Sequence, residues 1–198
     1  MNKKNITIGL NILLIVLEVI GLSITLKNMG FLETIMFYTE LSNFLGLIAS
    51  LVFVLFSFKG EIPKWVRLLK FISVLSLTVT FLVVIFVLGP MYDFNYKLLL
   101  FNGSMLYTHL LCPILAFILF IFLEGGKFSK KECLIANALT IGYAIVMIPL
   151  NLFKVVDGPY PFLKVRDQSI FMSIVWIILI MGGSYLLSLG IRRLKERY

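Results

Sequence analysis

Apolar residues dominate six stretches of the chain, at 6–26, 36–58, 66–89, 103–123, 133–152 and 169–189, while polar, basic and turn-forming residues collect in the gaps. A helix rises 1.5 Å per residue, so about 20 apolar residues cross a hydrocarbon core about 30 Å thick. In that core only a helix or a closed barrel satisfies every backbone N–H and C=O. The pattern therefore predicts an all-α polytopic membrane protein, with 1–198 as a single six-helix transmembrane domain. No internal repeat or low-complexity linker divides it.

Local signals punctuate the gaps. Pro63 suits the start of the third helix, and Ser129-Lys130-Lys131-Glu132 has the spacing of a capping box before the fifth. Pro113 lies inside the fourth helix and is expected to kink it beside His109, the only histidine in the chain. Asp157-Gly158-Pro159-Tyr160-Pro161-Phe162 is a turn-rich aromatic segment expected to dip back over the bundle. Lys3 and Lys4 before an apolar run imitate a signal peptide, but no small-residue cleavage site follows, so a retained first helix is expected.

Composition and charge sharpen this picture. The chain is 60% hydrophobic and 14% charged with a mean hydropathy of +1.02, which excludes a soluble domain of ordinary composition. Its formal charge of +8 comes from short basic clusters between apolar runs, a topology signal rather than a nucleic-acid surface. Thirteen of the 18 Lys and Arg fall on the side that holds both termini and five on the other. By the positive-inside rule both termini are expected in the cytoplasm, with the protein multi-pass in the cell membrane. Lys70, one turn inside the third helix, is expected to snorkel toward the basic side. Cys112 and Cys133 form neither a metal-ligand pattern nor a disulfide framework, and no metal or cofactor is expected.

Polar residues inside the spans carry the candidate chemistry. Thr39, Ser42, Asn43, Gly46 and Ser50 recur at helical spacing and form one polar, small-residue stripe on the second helix. With both helices entering from outside, Thr39 lies roughly 5 Å and His109 roughly 9 Å below the outer surface. On its own such a stripe favours close helix packing, with hydrogen bonds worth about 0.6 to 2 kcal/mol each, over catalysis. A histidine has the near-neutral pKa a general base needs, but a lone one near a membrane interface is more often a satisfied structural donor than a base. Glu18 is deep in the first span, whereas Glu40, about 100° round the helix from Thr39, is expected to meet water. Cys112, one turn from His109, ranks below Thr39 as an alternative nucleophile.

Three separated segments resemble the androgen-induced membrane protein family. They are Phe37, Thr39 and Asn43; Tyr107-Thr108-His109-Leu110-Leu111-Cys112-Pro113; and Gly142-Tyr143 followed by Tyr160-Pro161-Phe162-Leu163. Animal members of that family are multi-pass threonine hydrolases of fatty acid esters of hydroxy fatty acids. The resemblance implies Thr39 as nucleophile and His109 as base, acting on a membrane lipid or other acyl ester through an acyl-enzyme. Ser42 and Asn43 become candidate oxyanion donors, and Glu18 and Glu40 candidates to orient the histidine. Tyr107, Cys112, Tyr143, Tyr160 and Phe162 are candidates for substrate binding. Glu40 after the threonine and Tyr107-Thr108 before the histidine depart from the animal members. A ligand-binding transport subunit and an acyltransferase using the same residues are the competing readings.

Overall fold

The computed structural model describes residues 2–198. Among them, six helices are long and apolar enough to cross a membrane: α1 (Lys3–Met29), α2 (Tyr38–Lys59), α3 (Lys64–Met91), α4 (Leu106–Leu123), α5 (Lys130–Leu152) and α6 (Ile170–Lys195). No strand occurs among the described residues, so the protein is an all-helical, multi-pass membrane protein. Large apolar side chains such as Leu55, Phe58, Ile145 and Ile178 point outward, where lipid tails replace water as their surroundings.

The local signals account for most helix boundaries. Pro63 caps α3, and the capping box before α5 is complete: the Ser129 N–H donates to Glu132 Oε2 at 2.7 Å and the Glu132 N–H donates to Ser129 Oγ at 3.3 Å. Pro113 has no N–H to offer the carbonyl of His109, and the helix adjusts by widening into a π-helical stretch over Leu106–Leu111. Two gaps hold more structure than expected. Phe31–Thr34 forms a short helix after Gly30, and Tyr96–Phe101 forms another, capped by Asn95. α6 continues beyond 189 because Ile191 and Lys195 fold inward against the bundle.

The end of the bundle nearest the termini is held by an aromatic stack and a buried ion pair. Phe71, Phe120 and Phe128 lie with ring centroids 4.7 to 5.5 Å apart. Lys70 does not snorkel: it is 1% exposed, and its ammonium lies 3.1 Å from Glu124 Oε1. It also donates to Asn11 Oδ1 at 3.0 Å and Ser50 Oγ at 3.1 Å. Interior partners on α1, α2 and the end of α4 satisfy the charge better than a stretch to the surface would. Lys195 of α6 donates to the main-chain carbonyls of Phe120 and Glu124.

α6 is asymmetric. Its second half buries Ser184, Ser188, Ile191 and Lys195, while the half from Ile170 to Gly182 buries no residue. That first half stands over a cavity rather than over a packed core.

Candidate functional site

The site begins at the first turn of α2. Phe37 is its N-cap in extended conformation and supplies no side-chain hydrogen bond, which leaves first-turn N–H groups to find other partners. Tyr160 provides one from 121 residues further along: its phenol oxygen accepts the Thr39 N–H at 3.1 Å and lies 3.2 Å from Thr39 Oγ1. The aromatic turn does fold back over the bundle. Tyr160 stacks on Phe162 with centroids 5.2 Å apart and rings 1° from parallel, and meets the edge of Phe37 at 5.9 Å. Asn151 pinches the turn closed by donating to the Val156 carbonyl and accepting from the Val165 N–H.

Burial pushes the Tyr160 phenol from its ordinary value near 10 up to about 12, although the hydrogen bonds to Thr39 act the other way. A raised value in the folded state means that its stabilising contribution is whole below pH 10 and is lost between pH 10 and about 12. Subtracting the ultraviolet titration of Tyr160→Phe from that of the wild type is expected to leave one phenol ionising at about pH 12. A difference curve centred near 10 would sink this account. At neutral pH the same substitution is expected to cost about 1 kcal/mol, the usual loss for a helix cap.

Asn43 joins the Thr39 region to the His109 region. Its Nδ2 donates to the Thr39 carbonyl at 2.7 Å and to the Thr108 carbonyl at 3.1 Å, so one carboxamide fixes α2 against α4 at this level. Ser42 Oγ donates to the same Thr39 carbonyl at 2.7 Å and lies 2.9 Å from Thr80 Oγ1. These bonds occupy the protons that the oxyanion-donor assignment of Ser42 and Asn43 requires. Thr39, Ser42, Asn43, Gly46 and Ser50 are all buried.

His109 Nδ1 lies 2.6 Å from the Leu99 carbonyl. A carbonyl only accepts, so Nδ1 carries a proton, and the lone pair of the neutral form lies at Nε2. Neither Glu18 nor Glu40 bonds to the ring among the described residues; the orienting group is the backbone of Leu99. No hydrogen bond joins Thr39 to His109, and the threonine hydroxyl is engaged by Tyr160 instead. Tyr107 packs with Thr108 against Gly21, where a Cβ would come within 2.8 Å of Tyr107 Cβ.

Glu40 is turned largely away from water. It is 7% exposed, beside Thr25 on the face that α2 turns toward α1. Glu18 is fully buried, and Gly46 leaves it room, since a Cβ there would lie 2.5 Å from Oε1. Neither Glu18 oxygen has a hydrogen-bond partner, nor does Glu40 Oε2. Cys112 is fully enclosed, and both cysteines are free.

A narrow cavity, part of it open to the outside, lies between α2, α3, α5 and the first half of α6. Thr39 stands in its wall together with Tyr143, Tyr160 and Phe162, whereas His109, Tyr107 and Cys112 do not line it. The Tyr38 hydroxyl lies 2.8 Å from Thr140 Oγ1, and Tyr143 donates to the Met36 carbonyl at 2.7 Å. Sequence reading missed Tyr38, Thr140, Ser173 and Trp176 as part of this wall. Hydroxyls and a tryptophan in apolar runs read as ordinary span residues, and only the bundle geometry collects them. Among the described residues no group of three or more His, Cys, Asp or Glu is placed to hold a metal ion. No family model, curated protein or solved structure matches the chain.

Proposed function

We propose that this protein is a hydrolase of the cell membrane, with both termini in the cytoplasm, that cleaves a lipid ester near the outer face through Thr39 and His109. The supporting observation is the position of Thr39: its hydroxyl stands in the wall of a cavity suited to an acyl chain, while its carbonyl is tied through Asn43 to the residue before His109. In the reaction Thr39 Oγ1 exchanges its contact with Tyr160 for one with His109 Nε2, directly or through one water, and passes its proton there. The oxygen attacks the ester carbonyl, and the imidazolium returns the proton to the departing alcohol. Water then cleaves the acyl-threonine with the same imidazole as base. With Ser42 and Asn43 already engaged, the Tyr160 O–H, 3.2 Å from Thr39 Oγ1, takes the role of oxyanion donor.

A fluorophosphonate probe is expected to label the wild type in membranes and to leave Thr39→Ala unlabelled. His109→Gln is expected to slow labelling by about 10²-fold or more, the usual contribution of a general base. Labelling that persists unchanged in Thr39→Ala overturns the assignment. The engagement of the threonine by Tyr160 favours a second reading, a lipid-binding protein without turnover, for which an intact ester would co-purify and no acyl-threonine would form. Transfer of the acyl group to an alcohol instead of water would appear as a new ester among the products.

A further inference from the structure

The cavity wall contains no charge. Its polar members are hydroxyl-bearing: Tyr38, Thr39, Thr80, Thr140, Tyr143, Tyr160 and Ser173; the rest are aliphatic or aromatic, down to Met181 on α6. No Lys, Arg or His faces the space. Just behind Thr39 lies Glu40, a buried carboxyl with one unpartnered oxygen, which adds no attraction for an anion. On the turn whose Leu163 and Val165 line the cavity, Lys164 is exposed to the outside and Arg166 is paired with Asp157 at 2.7 Å. Ser173 Oγ is enclosed, lacks a protein partner and belongs to the part of the wall that α6 supplies, whereas Thr39 belongs to the part from α2.

On the reading that this cavity holds the substrate, we propose that it takes an uncharged acyl ester and discriminates against esters that carry a free carboxylate. A carboxylate drawn into this space would lose its hydration with no cation to replace it, a penalty that hydroxyl donors only partly offset. An ester carbonyl or a free alcohol needs only one or two hydrogen bonds, which Tyr160 and Ser173 are placed to give. Ser173 thereby becomes a binding residue on α6, contacting the second polar group of the ligand. The substrate class differs from that implied by the family resemblance, whose esters bear a carboxylate, because the discrimination follows from the wall of this cavity.

Trp176 lines the cavity and Trp65 is the other tryptophan of the chain, exposed at the start of α3. In a Trp65→Phe, Thr39→Ala background, Trp176 reports occupancy without turnover. The full-length protein in phosphatidylcholine nanodiscs is titrated with a dibrominated acyloxystearic acid and, separately, its methyl ester, each quantified as membrane-bound probe at alkaline pH. Saturable quenching is expected from the methyl ester at a concentration at least about tenfold lower than from the acid. Ser173→Ala is expected to narrow that ratio by weakening the methyl ester severalfold, and Ala144→Phe, which fills the cavity, to abolish the saturable phase. Equal or tighter binding of the acid, or no saturable quenching by either probe, overturns the proposal. Failure of the hydrolase reading looks different: probe labelling would survive Thr39→Ala while the preference for the methyl ester remained.

Discussion

Lys70→Ala is expected to destabilise the protein by about 3–5 kcal/mol, well beyond the loss expected for Tyr160→Phe. The ammonium it removes is 1% exposed and holds Glu124, Asn11 and Ser50 within 3.1 Å, while Asn11 Nδ2 also donates to Glu124 Oε1 at 3.0 Å. Four chain segments meet there. Truncation leaves the Glu124 carboxylate buried with one amide and no cation in contact with its oxygens, since Lys195 reaches only the main-chain carbonyl, and breaking such a pair costs far more than the pair itself contributes. For a chain of this size the loss corresponds to a fall in melting temperature of roughly 6–20 °C. The control is Lys70→Met with Glu124→Leu, which removes both charges and refills the space; most of the lost stability is expected to return. A single variant that melts with the wild type, or a double variant no better than the single, would refute this account of the charged cluster.

That cluster also shows where sequence reading stops. The six spans were legible because bilayer thickness fixes helix length and the backbone has few other ways to be satisfied in hydrocarbon. Snorkelling was a reasonable expectation for Lys70 as part of an isolated helix. Its true partner, Glu124, follows the end of α4 and reads locally as an interfacial residue. Glu40 failed for a related reason: its place in the first turn of the second span was legible, but the face it turns toward α1 was not. The aromatic turn at 157–162 was legible as a turn, yet nothing local says that Tyr160 caps α2. His109 is oriented by a backbone carbonyl, and backbone atoms leave no signature in a sequence.

Gly158→Ala is expected to release Tyr160 from Thr39 and to speed hydrogen exchange at the first turn of α2 by roughly 5- to 150-fold, the equivalent of 1–3 kcal/mol of overpacking. A Cβ at this position would lie 2.6 Å from both the carbonyl carbon and the oxygen of Leu163 and 2.9 Å from the Lys164 nitrogen. These are backbone atoms, so no rotamer change relieves the clash and the turn itself must open. Tyr160 lies two residues away on the same turn, and its phenol is what holds the Thr39 N–H. Exchange measured on the peptide containing Thr39 therefore reads the position of a loop that lies far away in sequence. Tyr160→Phe separates the two causes, since it removes the phenol without moving the turn: it should speed exchange at Thr39 while leaving the peptide around Val165, held by Asn151 at 3.0 Å, as protected as before. Gly158→Ala should loosen both. Protection at Thr39 that is unaffected by either substitution would mean that Tyr160 does not cap the helix.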